Sequence, residues 1–176
     1  MPANARTGKH GPCKLSSYLR THNTILNGFV TRGFCRDHVA HFTPIPPDMF
    51  WFVGWIACKG SILITFEKKL LAVDEREAEL RVQTEMYAYN ASIQGGHNIL
   101  RYDNQHPERL YPGHNDPHHK HLFDWTTDAN LSGSPFWIGE SNWPTLGEVV
   151  GELEQWHADH YAQLSAPQEY AILPRG

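Results

Sequence analysis

The spacing of apolar positions changes along this chain, from helical spacing near the start to alternation in the middle. Around residues 16–27 apolar side chains recur every three or four positions, which predicts a short amphipathic helix. In the middle, Ile62, Ile64 and Phe66 alternate with other residues, as in a half-buried strand. Strands separated by turn residues are predicted at 34–42, 50–58, 61–73, 79–93 and 99–103, with a short strand at 136–139.

Two local patterns refine this assignment. The alternation before Met86 changes phase at Tyr87, which predicts one extra residue and therefore a β-bulge. Near the C-terminus, Thr145 and Glu148 have the spacing of a helix-capping box. Apolar residues at helical spacing follow this box, so a second amphipathic helix is predicted over 146–161.

The order of elements is a helix, a run of antiparallel strands, a long polar segment and a helix. This order predicts an α+β fold: an antiparallel meander sheet flanked by an N-terminal and a C-terminal helix, with a long His-rich loop. A length of 176 residues suits one domain. We assign that domain to residues 15–162, preceded by a disordered leader over 1–14 and followed by a flexible tail over 163–176.

Composition narrows the functional classes. The net charge of −4 excludes a protein that coats nucleic acid through many phosphate contacts. The longest apolar run, residues 49–58, is shorter than the ~20 residues of a membrane span, and no apolar signal segment stands at the start. The three cysteines form no CxxC pair and suit reduced thiols. We therefore expect a cytoplasmic protein without a membrane partner.

Histidine is concentrated in one region of the chain. Six of the twelve histidines lie between His97 and His121. From 105 to 128 there is no apolar periodicity and prolines are frequent, so this segment is predicted to be a long loop. Long loops in compact domains are often functional, and imidazole transfers protons or binds metals near neutral pH. The region is therefore the main candidate site.

Proton chemistry explains the residue types in this region. Arg101 and Asp103 stand two apart on a predicted strand, so both side chains point to one face, and the loop can bring imidazoles to them. We expect His119 or His121 to be the general base, with the other or His118 as the acid. The predicted catalytic residues are His118, His119, His121 and Asp103, and the predicted substrate-binding residues are Arg101, Lys120 and His114. RNA cleavage by such a set requires no cofactor.

Two alternatives remain open from the residues alone. His114, His119, His121 and Asp124 could instead hold zinc or a ferrous ion, which would make the chain a metal-binding protein or a metal-dependent hydrolase. The aromatic strand around Trp55 could instead bind a protein partner, without catalysis.

The motifs RYDN (101–104), HP (106–107) and HHKH (118–121), separated by a proline-bearing spacer, resemble the TumE family of toxin–antitoxin toxins. The resemblance extends over residues 15–160, although Gln105 replaces a small residue that usually follows RYDN. It implies a cytoplasmic toxin paired with a helix-turn-helix antitoxin. Combined with the histidine chemistry, it leads us to expect a metal-independent ribonuclease that engages a selected RNA.

Overall fold

The computed structural model describes residues 8–74, 79–104 and 117–175, and the predicted α+β class is confirmed. One antiparallel sheet is accompanied by an N-terminal and a C-terminal helix. The helices are α1 (Leu15–Thr31) and α2 (Leu146–His160). The strands are β1 (Cys13–Lys14), β2 (Cys35–Ile45), β3 (Met49–Cys58), β4 (Ile62–Asp74), β5 (Arg81–Ile93), β6 (Asn98–Asp103), β7 (His119–Asp124), β8 (Ala129–Asn130) and β9 (Phe136–Trp137).

The strands β2 to β8 are neighbours in chain order, so the predicted meander is also confirmed. Two short strands lie off this path, because β1 pairs with β5 and β9 pairs with β7. Lys69 is opposite Met86 whereas Leu70 is opposite Thr84, which leaves Glu85 as the extra residue. This is the predicted bulge. It changes which residues of β5 point toward the helices.

Both helices pack on one face of the sheet and build the core with it. Leu26 and Phe29 of α1, and Val150 and Leu153 of α2, are buried in one cluster with Ile64 of the sheet. Each such side chain contributes about 1.5–3 kcal/mol when it leaves water. Among the described residues, neither helix combines the length and the apolar composition needed to cross a membrane.

The predicted capping box begins α2. The Thr145 side chain accepts a hydrogen bond from the Glu148 amide at 3.3 Å, and Glu148 accepts one from the Thr145 amide at 2.6 Å. Lys9 from the N-terminal segment also donates to the Glu148 carboxylate. Replacing such a cap by alanine typically costs about 1 kcal/mol.

Described residues of the predicted leader and of the predicted tail contact the rest of the domain. His10 stacks on Trp143 with ring centroids 4.0 Å apart. The Tyr170 hydroxyl donates to the Gly33 carbonyl at 2.6 Å, and buried Ala171 donates its amide to β3 at 3.1 Å. These contacts join residues distant in sequence, so composition did not reveal them. Residues 1–7 and 176 lie outside the described residues.

The predicted His-rich loop includes residues that form a strand. Its C-terminal part forms β7, which pairs with β6 through partners that include Leu100 opposite Leu122. The ladder satisfies backbone groups that a loop would leave to water. Residues 105–116, which include His114, lie outside the described residues.

Candidate functional site

The pairing of β6 with β7 brings four charged or titratable side chains together. Asp103 is opposite His119, and Arg101 is opposite His121. Residues two apart in a strand point to the same side of the sheet, so all four lie on one face. This is the face that α1 and α2 do not cover. We call these four residues the Asp103 site.

Asp103 is the buried centre of this site. One carboxylate oxygen accepts a hydrogen bond from Nε of Arg101 at 2.6 Å, and the other lies 3.2 Å from Nε2 of His119. The Asp103 side chain is 1 % exposed and that of His119 is 5 % exposed. A buried carboxylate is costly unless it is paired, and these two contacts supply the pairing. The Asp103 carboxylate is therefore close enough to His119 to orient its imidazole ring.

In both His119 and His121, the ring nitrogen Nδ1 lies near an oxygen acceptor. Nδ1 of His119 lies 2.7 Å from the Pro117 carbonyl, and Nδ1 of His121 lies 3.3 Å from the side-chain oxygen of Asn130. Each Nδ1 therefore carries a proton and donates it to the oxygen. In the neutral ring the other nitrogen, Nε2, then carries a lone pair. With a neutral ring, Nε2 of His119 and the nearby Asp103 oxygen would both be acceptors and would face each other. That contact is favourable when a proton or a metal cation lies between the two atoms.

His121 is held in its neutral form. Burial is the largest effect and lowers the pKa of His121 below its usual value, and the charges of His119 and Arg101 act in the same direction. Asn130 and Asp103 oppose this shift without reversing it. At neutral pH the ring can therefore accept a proton or offer a lone pair.

The Asp103 site also has the composition of a metal centre. One ligand atom each from Asp103, His119 and His121 lies within 4.8 Å of the others. Two imidazoles and one carboxylate suit zinc or a ferrous ion. The predicted ligand set shares His119 and His121 with this group. Asp124 does not join it, because its carboxylate accepts hydrogen bonds from Thr126 beyond the strand, and His114 lies outside the described residues.

Two predicted site residues lie on the opposite face of the sheet. His118 is 2 % exposed, packs beside Tyr87 and Trp143, and has Nδ1 3.2 Å from the Tyr87 hydroxyl. The Lys120 ammonium forms an ion pair with Glu152 of α2. The structure therefore does not place His118, predicted as an alternative acid, or Lys120, predicted to bind substrate, beside His119 and His121. Alternation along β7 sends neighbouring side chains to opposite faces.

A groove on the helix-free face adjoins the site, and sequence analysis did not identify it. It has a volume of about 330 Å³ and its lining includes Trp55, Glu67, Asn90 and Arg101. Trp137 of β9 adds a second aromatic ring, 5.4 Å from the ring of His119. Alternation predicts which residues of one strand share a face. It does not predict which residues of separate strands meet beside the histidines.

No protein-family model, curated protein or solved structure matches this chain. The resemblance of its RYDN and HHKH motifs to the TumE family stays a prediction. Function is therefore argued from the site itself.

Proposed function

We propose that this chain is the toxin of a toxin–antitoxin system and cleaves RNA at the Asp103 site. The observation that carries the proposal is one cluster on the helix-free face. This cluster contains the neutral imidazole of His121 and the guanidinium of Arg101. It also contains the imidazole of His119, which contacts the buried carboxylate of Asp103. A base, an acid and a cation are the groups that cleavage by the RNA 2′-hydroxyl requires.

Each group has a definite step in this mechanism. Nε2 of His121 takes the proton of the 2′-hydroxyl, whose oxygen then bonds to the adjacent phosphorus. The bond from phosphorus to the 5′-oxygen breaks, and that oxygen takes the proton that Nε2 of His119 shares with the Asp103 carboxylate. Arg101, whose side chain is 38 % exposed, neutralises negative charge on the phosphoryl oxygens. The products are a 2′,3′-cyclic phosphate and a 5′-hydroxyl.

The groove supports RNA as the substrate class. Trp55 offers an aromatic face, and Asn90 offers an amide that can read a base edge, both in the groove that Arg101 lines. The net charge of −4 disfavours binding to any RNA through phosphate contacts alone. The enzyme would therefore act on a selected RNA, in the cytoplasm, and a helix-turn-helix antitoxin would oppose it, as the TumE resemblance implies.

Induced expression in cells tests this proposal, with growth and total RNA as the readouts. Wild type is compared with His121→Ala and with His97→Ala, which removes an exposed imidazole from the turn before β6. We expect growth arrest with cleaved RNA for wild type and His97→Ala, and neither effect for His121→Ala. Arrest without RNA cleavage by wild type would refute the ribonuclease. Arrest that persists in His121→Ala would favour a protein-interaction module.

A metal-dependent hydrolase is the second candidate for the same site. Its specific support is that both Nδ1 atoms meet oxygen acceptors, because a histidine that donates from Nδ1 can offer its Nε2 lone pair to a metal. Asp103, His119 and His121 would be the ligands, and the ion would activate a water molecule and polarise the phosphoryl group. Arg101 would orient the Asp103 carboxylate through its 2.6 Å hydrogen bond.

Zinc binding separates the two candidates. Tag-free protein is titrated with zinc by calorimetry, alongside Asp103→Asn and the exposed control Asp159→Asn. One tightly bound zinc in wild type and Asp159→Asn, lost in Asp103→Asn, would favour the metal centre. Cleavage that is unchanged in EDTA, together with no zinc binding, would exclude it.

A further inference from the structure

A second pocket lies on the helix side of the sheet, opposite the Asp103 site. It has a volume of about 270 Å³, and its lining includes Lys68, His10, His22, Tyr18 and Ile25. These residues come from α1, β4 and the N-terminal segment, so the pocket exists only in the folded chain. None of them belongs to the predicted catalytic or binding residues.

Lys68 places a positive charge inside this pocket. Its side chain is buried, and its ammonium donates to the Tyr18 hydroxyl at 3.0 Å and lies 5.5 Å from the centre of the Tyr89 ring. Burial lowers the pKa of Lys68, but Tyr18 and Tyr89 act in the opposite direction and raise it overall. Among the described residues, no carboxylate lies within ion-pair distance of this ammonium. Phenol groups at neutral pH stabilise the cation without neutralising it.

The two histidines of the pocket add polar atoms but no charge. Burial lowers the pKa of His22 to about 3 and that of His10 to about 4, and the charge of Lys68 acts in the same direction. Nε2 of His22 is buried and has no hydrogen-bond partner among the described residues. An unsatisfied buried group of this kind costs about 1–3 kcal/mol. The pocket therefore contains one positive charge that no carboxylate of the described residues neutralises.

The rest of the lining limits the chemistry of that ligand. Ile25, Leu26 and Leu146 supply apolar surface, and Ser17 and Thr21 are exposed at the edge of the pocket. A single ammonium neutralises a single negative charge, so a monoanion fits better than a doubly charged phosphate ester. Apolar surface beside one charged group is typical of a site for a small organic molecule.

We propose that this pocket binds a small organic carboxylate, with its carboxylate group on the Lys68 ammonium and its apolar part against Ile25 and Leu26. The pocket and the Asp103 site lie on opposite faces of the sheet. The proposal therefore goes beyond the proposed ribonuclease and does not depend on it.

Calorimetric titration of the full chain with benzoate and with hexanoate tests the proposal. Benzamide serves as the uncharged probe and inorganic phosphate as the competing anion. Lys68→Met removes the charge and keeps a long apolar side chain. Lys69→Met is the matched control, because Lys69 follows in the same strand and lies over Trp51 on the helix-free face. We expect saturable binding of at least one carboxylate to wild type and Lys69→Met, weakened about tenfold or more in Lys68→Met, and no binding of benzamide.

A second variant keeps the test decisive if Lys68→Met fails to fold. Ser17→Trp places a large ring at the exposed edge of the pocket without altering the buried lysine, and we expect it to abolish carboxylate binding. The proposal is overturned if wild type binds neither carboxylate, or if Lys68→Met or Ser17→Trp binds as wild type does. It is also overturned if phosphate binds more tightly than both carboxylates.

Discussion

Asp103→Asn is the perturbation that most directly tests the Asp103 site. The substitution keeps the shape of the side chain and removes its charge. Among the described residues, Asp103 contacts the half-exposed Arg101 and the buried His119. We therefore expect a loss of stability, to which the contacts with Arg101 and His119 contribute different free energies. We also expect a loss of any activity that needs an oriented imidazole.

The magnitude follows from the burial of each partner. The Arg101 side chain is 38 % exposed, so its ion pair contributes at most about 1 kcal/mol after solvent screening. The contact with His119 is buried on both sides, and loss of a hydrogen-bond partner there costs about 1–3 kcal/mol. Together the free energy of unfolding should fall by about 1–4 kcal/mol. The rate of RNA cleavage should fall by about 10²–10⁴ if His119 transfers a proton.

Urea denaturation at pH 7, followed by tryptophan fluorescence, measures the stability, and cleavage of total RNA measures the activity. Asp159→Asn is the matched control, because it makes the same substitution at an exposed position of α2. We expect the control to match wild type in both assays. A change below about 1 kcal/mol with unaltered cleavage would refute the assigned role of Asp103.

Three further predictions concern other titratable groups. The pKa of His121 is lowered, so the acidic limb of the cleavage rate against pH should lie below pH 6.5, and a limb above pH 7 would contradict its role as base. His22 has a pKa of about 3 when folded and 6.5 when unfolded, so only the unfolded chain binds its proton between these values. The free energy of unfolding should therefore fall by about 2 kcal/mol per such group from pH 6.5 to pH 5, and His22→Leu should reduce this loss in urea titrations at the two pH values. Lys120→Met should leave RNA cleavage unchanged, since Lys120 pairs with Glu152 on the other face, and a large loss of cleavage would mean that Lys120 reaches the substrate.

The sequence by itself determined the order of the two helices and the strands between them, the bulge in β5 and the start of α2. Alternation at Ile62 and Ile64, the phase change before Tyr87, and the box formed by Thr145 and Glu148 all depend on residues close together in the chain. Their interactions are local, so spacing alone predicts them. The same reasoning correctly placed Arg101 and Asp103, two residues apart, on one face.

Only the tertiary structure decided which histidines join Asp103. Alternation separates His119 and His121 from Lys120, but the register of β7 against β6 is what places His119 opposite Asp103 and His121 opposite Arg101. The pocket around Lys68 depends likewise on contacts between α1, β4 and the N-terminal segment. Both sites bring together residues far apart in the chain. Their geometry follows from strand register and helix packing, which depend on the whole core rather than on local spacing.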